Sequence, residues 1–353
     1  MVRFSIVIPT YGRPARLQEC LRAITDLDYN FDAFEVMVVD DGGHGETRDV
    51  VAQFDQLFQI RYIPHAKRTG PARARNAGAA ASRGTWLVFL DDDCTVLPGW
   101  LRGFDEVLAR EVPGTAIGGR VINAVEDNIF AAASQCVMEF LYEWYNGSPD
   151  DARFFATNNL LCPRADFLAI GGFDERFSRA AAEDRDFCDR WRESGRRLMT
   201  ADRAIVSHYH RLTLASFVAQ HFGYGRGAVD LHLGRDRRGV DRPRMEPLAF
   251  YAGLVTYPLR RHGGSRAALL ATLSAATQAA YATGYYLERL LRLVTPGEEG
   301  TLSHEPPAVP LPPSAVADRT VVTQVHVEQY SAPGSLPAEP AQAPERDVRN
   351  ARP

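Results

Sequence analysis

Hydrophobic runs alternate with amphipathic segments along the first part of the chain. FSIVIPT, FEVMVVD, QIRYIP and TWLVFL are rich in β-branched and aromatic residues, as buried strands are. The segments between them, RPARLQECLRAI, TRDVVAQF and PARARNAGAAAS, have helical spacing or an alanine-rich helical composition. Strands that alternate with helices predict a mostly parallel, doubly wound α/β sheet with right-handed crossovers.

The pattern is less regular between residues 99 and 210. Helices are predicted for WLRGFDEVLARE, for the long segment NIFAAASQCVMEFLYEWY and for AEDRDFCDRWRESG, which ends at Gly195. Extended segments are predicted for TAIGGRVI and RLMTADRAIVSHYHR. The stretch FFATNNLLCPRADFLAIGGFDERF mixes strand with turn.

A third type of sequence begins at residue 211. Residues 211–266 contain ten arginines and four acidic residues, a local balance of +6. Residues 266–294 are apolar but contain Gln278, Gly284 and Glu288, whereas a membrane-spanning helix needs about 20 mostly apolar residues. We favour a helix packed on the globular body. A helix lying on an anionic membrane beside the arginines is the second interpretation, and a spanning helix is the third. GYGRG at 223–227 is interpreted as a loop or hinge.

The segment from residue 296 to residue 353 is rich in proline and alanine and has no periodicity. Such a composition cannot bury enough apolar surface to order the chain. We therefore predict a disordered tail without catalytic residues.

Composition excludes several classes of protein. Of the 353 residues, 45% are hydrophobic and 24% are charged, as in ordinary globular proteins, and the net charge of -4 argues against nucleic-acid binding. The five scattered cysteines form no CxxC pair, so neither a zinc site nor a disulfide framework is expected. Reduced thiols suit a cytoplasmic protein. The apolar stretch before Pro9 is shorter than the core of a signal peptide and is interpreted as a first strand.

Polar clusters follow three of the predicted strands. They are PTYGR at 9–13, DDGG at 40–43 and DDDC at 91–94. Ligands of parallel α/β sheets bind beyond the carboxyl ends of the strands. Three adjacent aspartates repel one another, and a divalent cation that prefers oxygen ligands, Mg²⁺ or Mn²⁺, would offset that repulsion and bridge to phosphates. The clusters therefore predict a metal and nucleotide site.

These motifs occur in an order that resembles a known family. VIPTYGR, VVDDGG, GPARARNAGAAASRGTWLVFLDDD, GGFDERF, AEDRDFCDRW and SHYHR, between residue 4 and about residue 225, look like a family 2 glycosyltransferase of the rhamnosyltransferase-like, polysaccharide-biosynthesis type. The resemblance implies a GT-A fold, which is Rossmann-like. It implies a catalytic domain over residues 1–210, with a nucleotide-binding half (1–98) and an acceptor-side half (99–210). A helical, arginine-rich extension (211–295) and the tail (296–353) would follow.

The resemblance also implies a role for each motif residue. The nucleotide-sugar site would contain Pro9, Thr10, Tyr11, Arg13, Asp40, Asp41, Arg68, Arg75, Asp91 and Asp92. Tyr11 and Asp40 would lie near the base, Asp41 and Asp91 near the ribose, and Arg68 and Arg75 near the diphosphate. Arg73 is interpreted as part of a solvated helix face. Asp93 and His208 would ligate a divalent metal, and His210 is a rival to His208.

On the acceptor side, Asp184 would be the general base and Glu183 its neighbour. Gly171 and Gly172 would allow close backbone approach in the acceptor loop. Alternatively, Glu183 and Asp184 only complement a helix dipole. The sequence departs from the family at Gly43, where serine is common. It also lacks the QxxRW element and the several spanning helices of processive synthases, which favours single addition.

The implied reaction moves a sugar from a nucleotide-diphosphate donor to a glycan, lipid-linked or small-molecule acceptor, with inversion. The protein would work in the cytoplasm, with a peripheral contact to the inner face of the membrane. A sugar-nucleotide nucleotidyltransferase is an alternative, although the glycine-rich phosphate loop expected after the first strand is missing, as is the GxGxxG of a dehydrogenase. A non-catalytic nucleotide-sugar-binding module is the other alternative, and Asp91, Asp93 and Asp184 together argue against it.

Overall fold

The computed structural model describes residues 1–43, 45–110, 112–177, 179–240 and 245–294, so the predicted tail (296–353) lies outside the described residues. The first half confirms the predicted alternation of strands and helices. Its elements are β1 (Phe4–Thr10), α1 (Pro14–Thr25), β2 (Phe34–Asp40), α2 (Gly45–Ala52), β3 (Gln59–Pro64), α3 (Pro71–Ala81) and β4 (Trp86–Leu90). A short 3₁₀ turn, Phe31–Ala33, precedes β2.

The second half contains both the predicted elements and additional ones. It consists of β5 (Cys94–Val96), α4 (Trp100–Leu108), β6 (Thr115–Asn123), α5 (Ile129–Tyr145), β7 (Asn159–Pro163), α6 (Arg164–Ala169), α7 (Glu183–Glu193) and β8 (Arg197–His208). Three helices follow: α8 (Leu214–Arg237), α9 (Leu248–Arg261) and α10 (Gly264–Val294). The interpretation of GYGRG as a loop or hinge is wrong, because residues 223–227 lie inside α8.

The eight strands of the described chain form one mixed sheet in the order β3-β2-β1-β4-β7-β6-β8-β5. Strands β1 to β4 are parallel to one another, as the sequence predicts. β7 reverses direction and pairs antiparallel with both β4 and β6, while β8 runs parallel to β6. β5 pairs antiparallel with the end of β8. The register pairs Thr10 with Asp40, so the polar clusters after β1 and β2 lie at one edge.

Apolar side chains cover both faces of the sheet. In β1, Ile6 and Ile8 belong to one core cluster, which also contains residues of α1 and α4, while Val7 belongs to a second cluster with residues of α3 and α7. This alternation follows from the period of two in a strand. Burial on both faces explains why these strands are almost uniformly hydrophobic. All five cysteines are buried and free of disulfides, as predicted.

The helices after residue 211 pack on one another and on α5. Gly225 of α8 and Gly284 of α10 permit very close contact, because a Cβ on Gly225 would lie 1.9 Å from Tyr281 O and one on Gly284 would lie 2.1 Å from Phe222 O. Glu288 of α10 is buried, where the sequence suggested only a polar interruption. In the described part of the chain, none of the helices combines the length and apolar character needed to cross a membrane.

The arginines of residues 211–266 mostly contact acidic residues from other parts of the chain. The ion pairs are Arg211–Asp127, Arg226–Glu288, Arg235–Asp189, Arg238–Asp186, Arg238–Glu193, Arg260–Glu143 and Arg261–Glu143. The local balance of +6 is therefore largely neutralised by acidic residues outside the segment, and these pairs attach α8 and α9 to the rest of the protein.

Candidate active site

The carboxyl ends of β1 and β4 meet at one edge of the sheet because the two strands pair in parallel. The hydroxyl of Thr10, the last residue of β1, donates a hydrogen bond of 2.6 Å to Asp92 Oδ2, just beyond β4. Arg13 contacts two of the three adjacent aspartates. Its Nη2 lies 2.5 Å from Asp92 Oδ1, and its Nη1 donates to Asp93 Oδ2 at 2.9 Å. Polar residues after two neighbouring strands are thereby joined into one cluster.

The first aspartate of this segment has a different partner. Arg75 of α3 donates from Nη2 to Asp91 Oδ1 at 2.6 Å and from Nη1 to Glu183 Oε1 at 3.0 Å. Only 3% of Arg75 is exposed. The structure thus differs from the open diphosphate contact that the resemblance implies, since Arg75 instead bridges the strand-end cluster and the first turn of α7.

Burial and these cations act on the aspartates in opposite directions. Burial raises the pKa of Asp92 to about 7, although the charge of Arg13 lowers it. Burial also tends to raise the pKa of Asp93, but the charge and hydrogen bond of His208, and then the charge of Arg13, hold that pKa well below its usual value. The repulsion among the three aspartates is therefore offset in part by the protein's own cationic side chains.

A candidate metal group lies beside this cluster. Asp93, His208 and His210 each place one ligand atom within 4.8 Å of the others. Pairing of β5 with β8 sets Cys94 opposite His208, and Tyr209 N donates to Asp93 O at 2.8 Å, which brings the aspartate next to the histidines. His208 Nε2 lies 3.4 Å from Asp93 Oδ1. A carboxylate with two imidazoles suits a divalent transition metal, so the donor set fits Mn²⁺ better than Mg²⁺.

Both histidines are candidate ligands, because His210 has a suitable hydrogen bond behind it. Its Nε2 lies 2.6 Å from Gln220 Oε1, an atom that only accepts, so Nε2 carries the proton and Nδ1 of the neutral ring keeps its lone pair. Gln220 also donates to the Tyr224 hydroxyl at 2.7 Å. This chain of contacts connects the site to α8. Gln220 and Tyr224 could not be singled out from the sequence, in which SHYHR at 207–211 is the nearest motif.

The aspartates after β2 are largely occupied by the protein itself. Asp41 accepts hydrogen bonds from the backbone N–H groups of Thr69 and Gly70, both at 2.7 Å, and so fixes the loop that precedes α3. Asp40 is fully buried and accepts a hydrogen bond of 2.8 Å from the Tyr62 hydroxyl. Both therefore lie close to the predicted nucleotide site, and Asp41 shapes its wall.

The outer rim of this site is formed by the loop after β1. Tyr11 is 41% exposed, and the guanidinium of Arg68 lies 4.4 Å from the centre of its ring. Pro9 is half-buried beneath them. Arg73 points elsewhere and pairs with Glu175 at 2.8 Å on the surface, in agreement with its interpretation as part of a solvated face.

Glu183 and Asp184 form the first turn of α7, after Ala182, which has the left-handed φ of 71° that is unusual for a residue with a Cβ. Burial, and then the charge of Asp184, raises the pKa of Glu183 to about 7, although Arg75 lowers it. Burial also raises the pKa of Asp184, against the backbone N–H of Arg185, which donates to Asp184 Oδ1 at 2.7 Å. A role restricted to the helix dipole would lower both pKa values. Raised values favour a proton acceptor near neutral pH.

The glycine pair of GGFDERF forms a fixed turn. Gly171 and Gly172 both have positive φ, and a Cβ on Gly172 would lie 2.5 Å from Asn76 Oδ1. Asn76 accepts a hydrogen bond from Phe173 N and donates one to Phe173 O. The close backbone approach at Gly172 is to α3 of the protein, and its role towards an acceptor stays a prediction. Around the Cβ position of Gly171 there is open space.

Comparison with known proteins finds similar sequences and folds. Residues 5–170 match the family described as "Glycosyl transferase family 2". A pre-mycofactocin glycosyltransferase of Mycobacterium tuberculosis is 29% identical over 64% of this chain and 47% of its own length. A validoxylamine A glucosyltransferase of Streptomyces hygroscopicus subsp. jinggangensis is 30% identical over 51% of this chain and 49% of its own length. The chain thus spans about half the length of these curated relatives.

Among solved structures, a mannosyltransferase from Pyrobaculum calidifontis in complex with GDP-Man and Mn²⁺ has a similar fold. The superposition has a TM-score of 0.56 at 19% sequence identity and covers 84% of this chain and 88% of the other. This likeness supports the predicted GT-A architecture. The match over residues 5–170 shows a family 2 glycosyl transferase domain in this part of the chain, and the superposition shows the fold alone.

Proposed function

We propose that the chain is an inverting glycosyltransferase, which transfers a single sugar from a nucleoside-diphosphate sugar to an acceptor hydroxyl. The observation that carries the proposal is the bridge made by Arg75 between Asp91 and Glu183. It holds the strand-end carboxylates next to the acidic first turn of α7. A donor-binding edge and a proton acceptor therefore belong to one site, as a transfer reaction requires.

The donor is proposed to bind along the ends of β1, β2 and β4. The base would lie against the exposed Tyr11, above Asp40, with the ribose near Asp41 and Asp91 and the diphosphate towards Arg13 and the exposed Arg68. Exposure of this rim and burial of the aspartates behind it support the assignment. The wall of the donor site would be completed by Pro9, Thr10 and Asp92. The carboxylate of Asp92 is not free to bind the donor, since it already accepts a hydrogen bond from Thr10.

A divalent cation, Mn²⁺ or Mg²⁺, is proposed to be held by Asp93 with His208 and His210. When bound, the cation would act as a Lewis acid that stabilises the negative charge of the leaving diphosphate. The donor set, one carboxylate and two imidazoles within 4.8 Å, supports this role.

Asp184 is the proposed general base, with Glu183 beside it. Its carboxylate takes the proton of the acceptor hydroxyl while that oxygen bonds to the anomeric carbon, and the bond from this carbon to the diphosphate oxygen breaks. Attack from the face opposite the leaving group inverts the configuration. Burial raises the pKa of Asp184, which increases the proton affinity of its carboxylate and supports this role.

The acceptor is proposed to be a glycan, a lipid-linked precursor of cell-envelope polysaccharide or a small molecule, reached beside the turn at Gly171. Cytoplasmic location with peripheral contact to the inner face of the membrane is part of the proposal. The exposed apolar residues Tyr286, Leu290 and Leu293 at the end of α10 support it, whereas the ion pairs of the arginine-rich segment weaken it. Absence of flotation with anionic liposomes at low salt would remove the membrane contact from the proposal.

Donor binding and product analysis test the activity. Nucleotide sugars are screened by thermal unfolding with and without Mn²⁺, because a ligand of the folded state raises the unfolding temperature by mass action. With the best donor, NMR of the product should show the anomeric configuration opposite to that of the donor, with release of a nucleoside diphosphate. Release of pyrophosphate would instead indicate a nucleotidyltransferase, and donor binding without turnover across an acceptor panel would indicate a binding module.

A further inference from the structure

Arg13 holds an unusual position for a residue next to a candidate metal ligand. Its two terminal nitrogens contact Asp92 Oδ1 and Asp93 Oδ2, on two adjacent carboxylates. Asp93 is also the carboxylate of the metal group with His208 and His210. A guanidinium and a divalent cation are thus directed to the same carboxylate, and each reduces the negative charge that attracts the other.

The charges of the cluster show how strong this effect is. Asp91 contacts the guanidinium of Arg75, and Asp92 and Asp93 both contact that of Arg13, so each of the three carboxylates already faces a cation. Arg75 is enclosed, but the side chain of Arg13 is 39% exposed. Only a small negative charge is left to attract a divalent ion when no nucleotide is present.

The backbone of Arg13 is held in place, whereas its long side chain can change position. It lies directly before α1, where its carbonyl accepts hydrogen bonds from the N–H groups of Arg16 and Leu17. Gly12 before it has φ of 60°, which closes the turn from β1. The long side chain extends from this fixed point to Asp92 and Asp93, and 39% of it remains exposed to solvent.

We infer that Arg13 is a resident counter-cation of the aspartate cluster, which makes tight binding of the divalent ion depend on the donor diphosphate. Without donor, the guanidinium neutralises Asp92 and Asp93 and keeps the metal weakly bound. A diphosphate offers Arg13 a bidentate anionic partner, so the guanidinium exchanges Asp93 for the diphosphate and the full charge of the carboxylate becomes available to the cation. Metal and donor then bind cooperatively. The inference rests on the proposed metal and donor sites.

The test measures Mn²⁺ binding directly, by the EPR signal of free Mn²⁺, with and without a nucleoside diphosphate. In the parent protein, the diphosphate should tighten Mn²⁺ binding strongly. Arg13→Gln should bind Mn²⁺ at least about tenfold more tightly than the parent in the absence of nucleotide, because one positive charge beside the ion is gone. The tightening by the diphosphate should shrink in this variant, since the coupling free energy is shared by both ligands. Arg13→Lys keeps the charge and should stay closer to the parent.

Arg16→Gln is the matched control. Arg16 lies on the first turn of α1, where it pairs with Glu19 at 3.0 Å on the surface. The substitution removes the same charge three residues further along the chain, where the guanidinium lies 5.9 Å from the centre of the Tyr209 ring and contacts none of the aspartates, so Mn²⁺ affinity should stay within about twofold of the parent. Thermal unfolding of each metal-free variant verifies that the chain is folded at the temperature of the measurement.

Three results would overturn the inference. Arg13→Gln could bind Mn²⁺ no more tightly than the parent, it could bind more weakly, or Arg16→Gln could produce an equal gain. In each case sugar transfer by the parent protein would leave the proposed function intact. If the parent bound no Mn²⁺ even with the diphosphate, the metal part of the proposed function would fail as well, and Arg13 would have no competitor at Asp93.

Discussion

The strand-end cluster and the contact between α7 and α8 contain the same chemical groups in opposite arrangements. At the strand ends, three aspartates adjacent in sequence face Arg13 and Arg75, and Arg13 remains 39% exposed. Between the helices, Asp186 is fully enclosed by Arg190 at 2.7 Å and Arg238 at 2.8 Å. In the first cluster, like charges are adjacent and close to solvent. In the second, the carboxylates are further apart and Asp186 is buried.

This difference separates a candidate site from the structure that supports it. Adjacent carboxylates raise one another's proton affinity and are kept only where a ligand or a proton uses them. The carboxylate of Asp186, which is fully buried and contacts an arginine on each side, exposes no oxygen to a ligand. Substitutions at the candidate site should therefore change turnover or ligand affinity, whereas substitutions between the helices should change the free energy of unfolding.

The largest effect is expected for Asp184→Asn. The amide keeps the size of the carboxylate but cannot accept the proton, and loss of a general base typically costs about 10²–10⁴ in rate. The residues proposed to bind the donor lie on other elements, so donor affinity measured by calorimetry should be close to that of the parent. Transfer assays at saturating donor provide the rate.

Glu193→Gln serves as the control for Asp184→Asn, because it removes a carboxylate from the last turn of the same helix, where Glu193 contacts Arg238 at 2.9 Å. It should leave turnover within about twofold, as expected for a surface ion pair. A near-parental rate for Asp184→Asn would make Glu183 the first candidate for the base, and a loss of donor binding would move Asp184 to the nucleotide site.

Asp186→Asn tests the enclosed cluster and should lower stability, with little effect on donor affinity. Breaking a fully buried ion pair costs roughly 3–5 kcal/mol, and partial exposure of Arg190 and Arg238 reduces this to about 2–4 kcal/mol. Urea unfolding gives the free energy. Asp28→Asn, which breaks an exposed pair with Arg102, should cost less than about 1 kcal/mol. Equal losses in the free energy of unfolding for the two variants would show that burial does not increase the contribution of an ion pair.

Gly225→Ala tests the contact between α8 and α10. The new methyl group would lie 1.9 Å from Tyr281 O, so the helices must separate, at a cost of about 1–3 kcal/mol in the free energy of unfolding. Gly223→Ala in the same helix meets open space and should instead stabilise by about 0.5–1 kcal/mol. A higher free energy of unfolding in both variants would mean that α8 and α10 are not tightly packed.

The smallest effect concerns pH. A base acts as the anion, so the rate of transfer should fall as pH drops through the raised pKa values of the Glu183 and Asp184 pair, about 7 for Glu183. Glu183→Gln removes a like charge next to Asp184 and should move the midpoint of the pH profile down by about one unit. A midpoint that stays in place would show that the two carboxylates titrate independently.

The sequence predicted the strands and helices of the first half of the chain well, because their signals are local. Strands β1, β2 and β4 are hydrophobic runs of five to seven residues, and parallel pairing places the residues after them at one edge whatever the remainder of the fold. Asp91, Asp92 and Asp93 could therefore be placed together without any knowledge of the helices. The amphipathic patterns of α1 and α7 were likewise sufficient to predict these two helices.

The contacts that organise the site could not be predicted, because they join distant segments. Arg75 and Glu183 are 108 positions apart, and nothing in either segment identifies the other as its partner. Glycine has a low helix propensity, so GYGRG favoured a loop until the packing of Gly225 on α10 outweighed that propensity. Counting charges within residues 211–266 likewise missed acidic partners such as Asp189 and Glu288.

The shared guanidinium of Arg75 gives the site a thermodynamic property as well as a shape. Asp91 and Glu183 hold the same cation, so protonation of Glu183 alters the charge that Asp91 presents to a ligand. Such coupling is reciprocal, and we expect donor affinity measured by calorimetry to change between about pH 6 and about pH 8. A donor that draws Asp91 away from Arg75 must in turn change the proton affinity of the acidic turn, so occupancy at the sheet edge is communicated to α7 through one side chain and no moving loop.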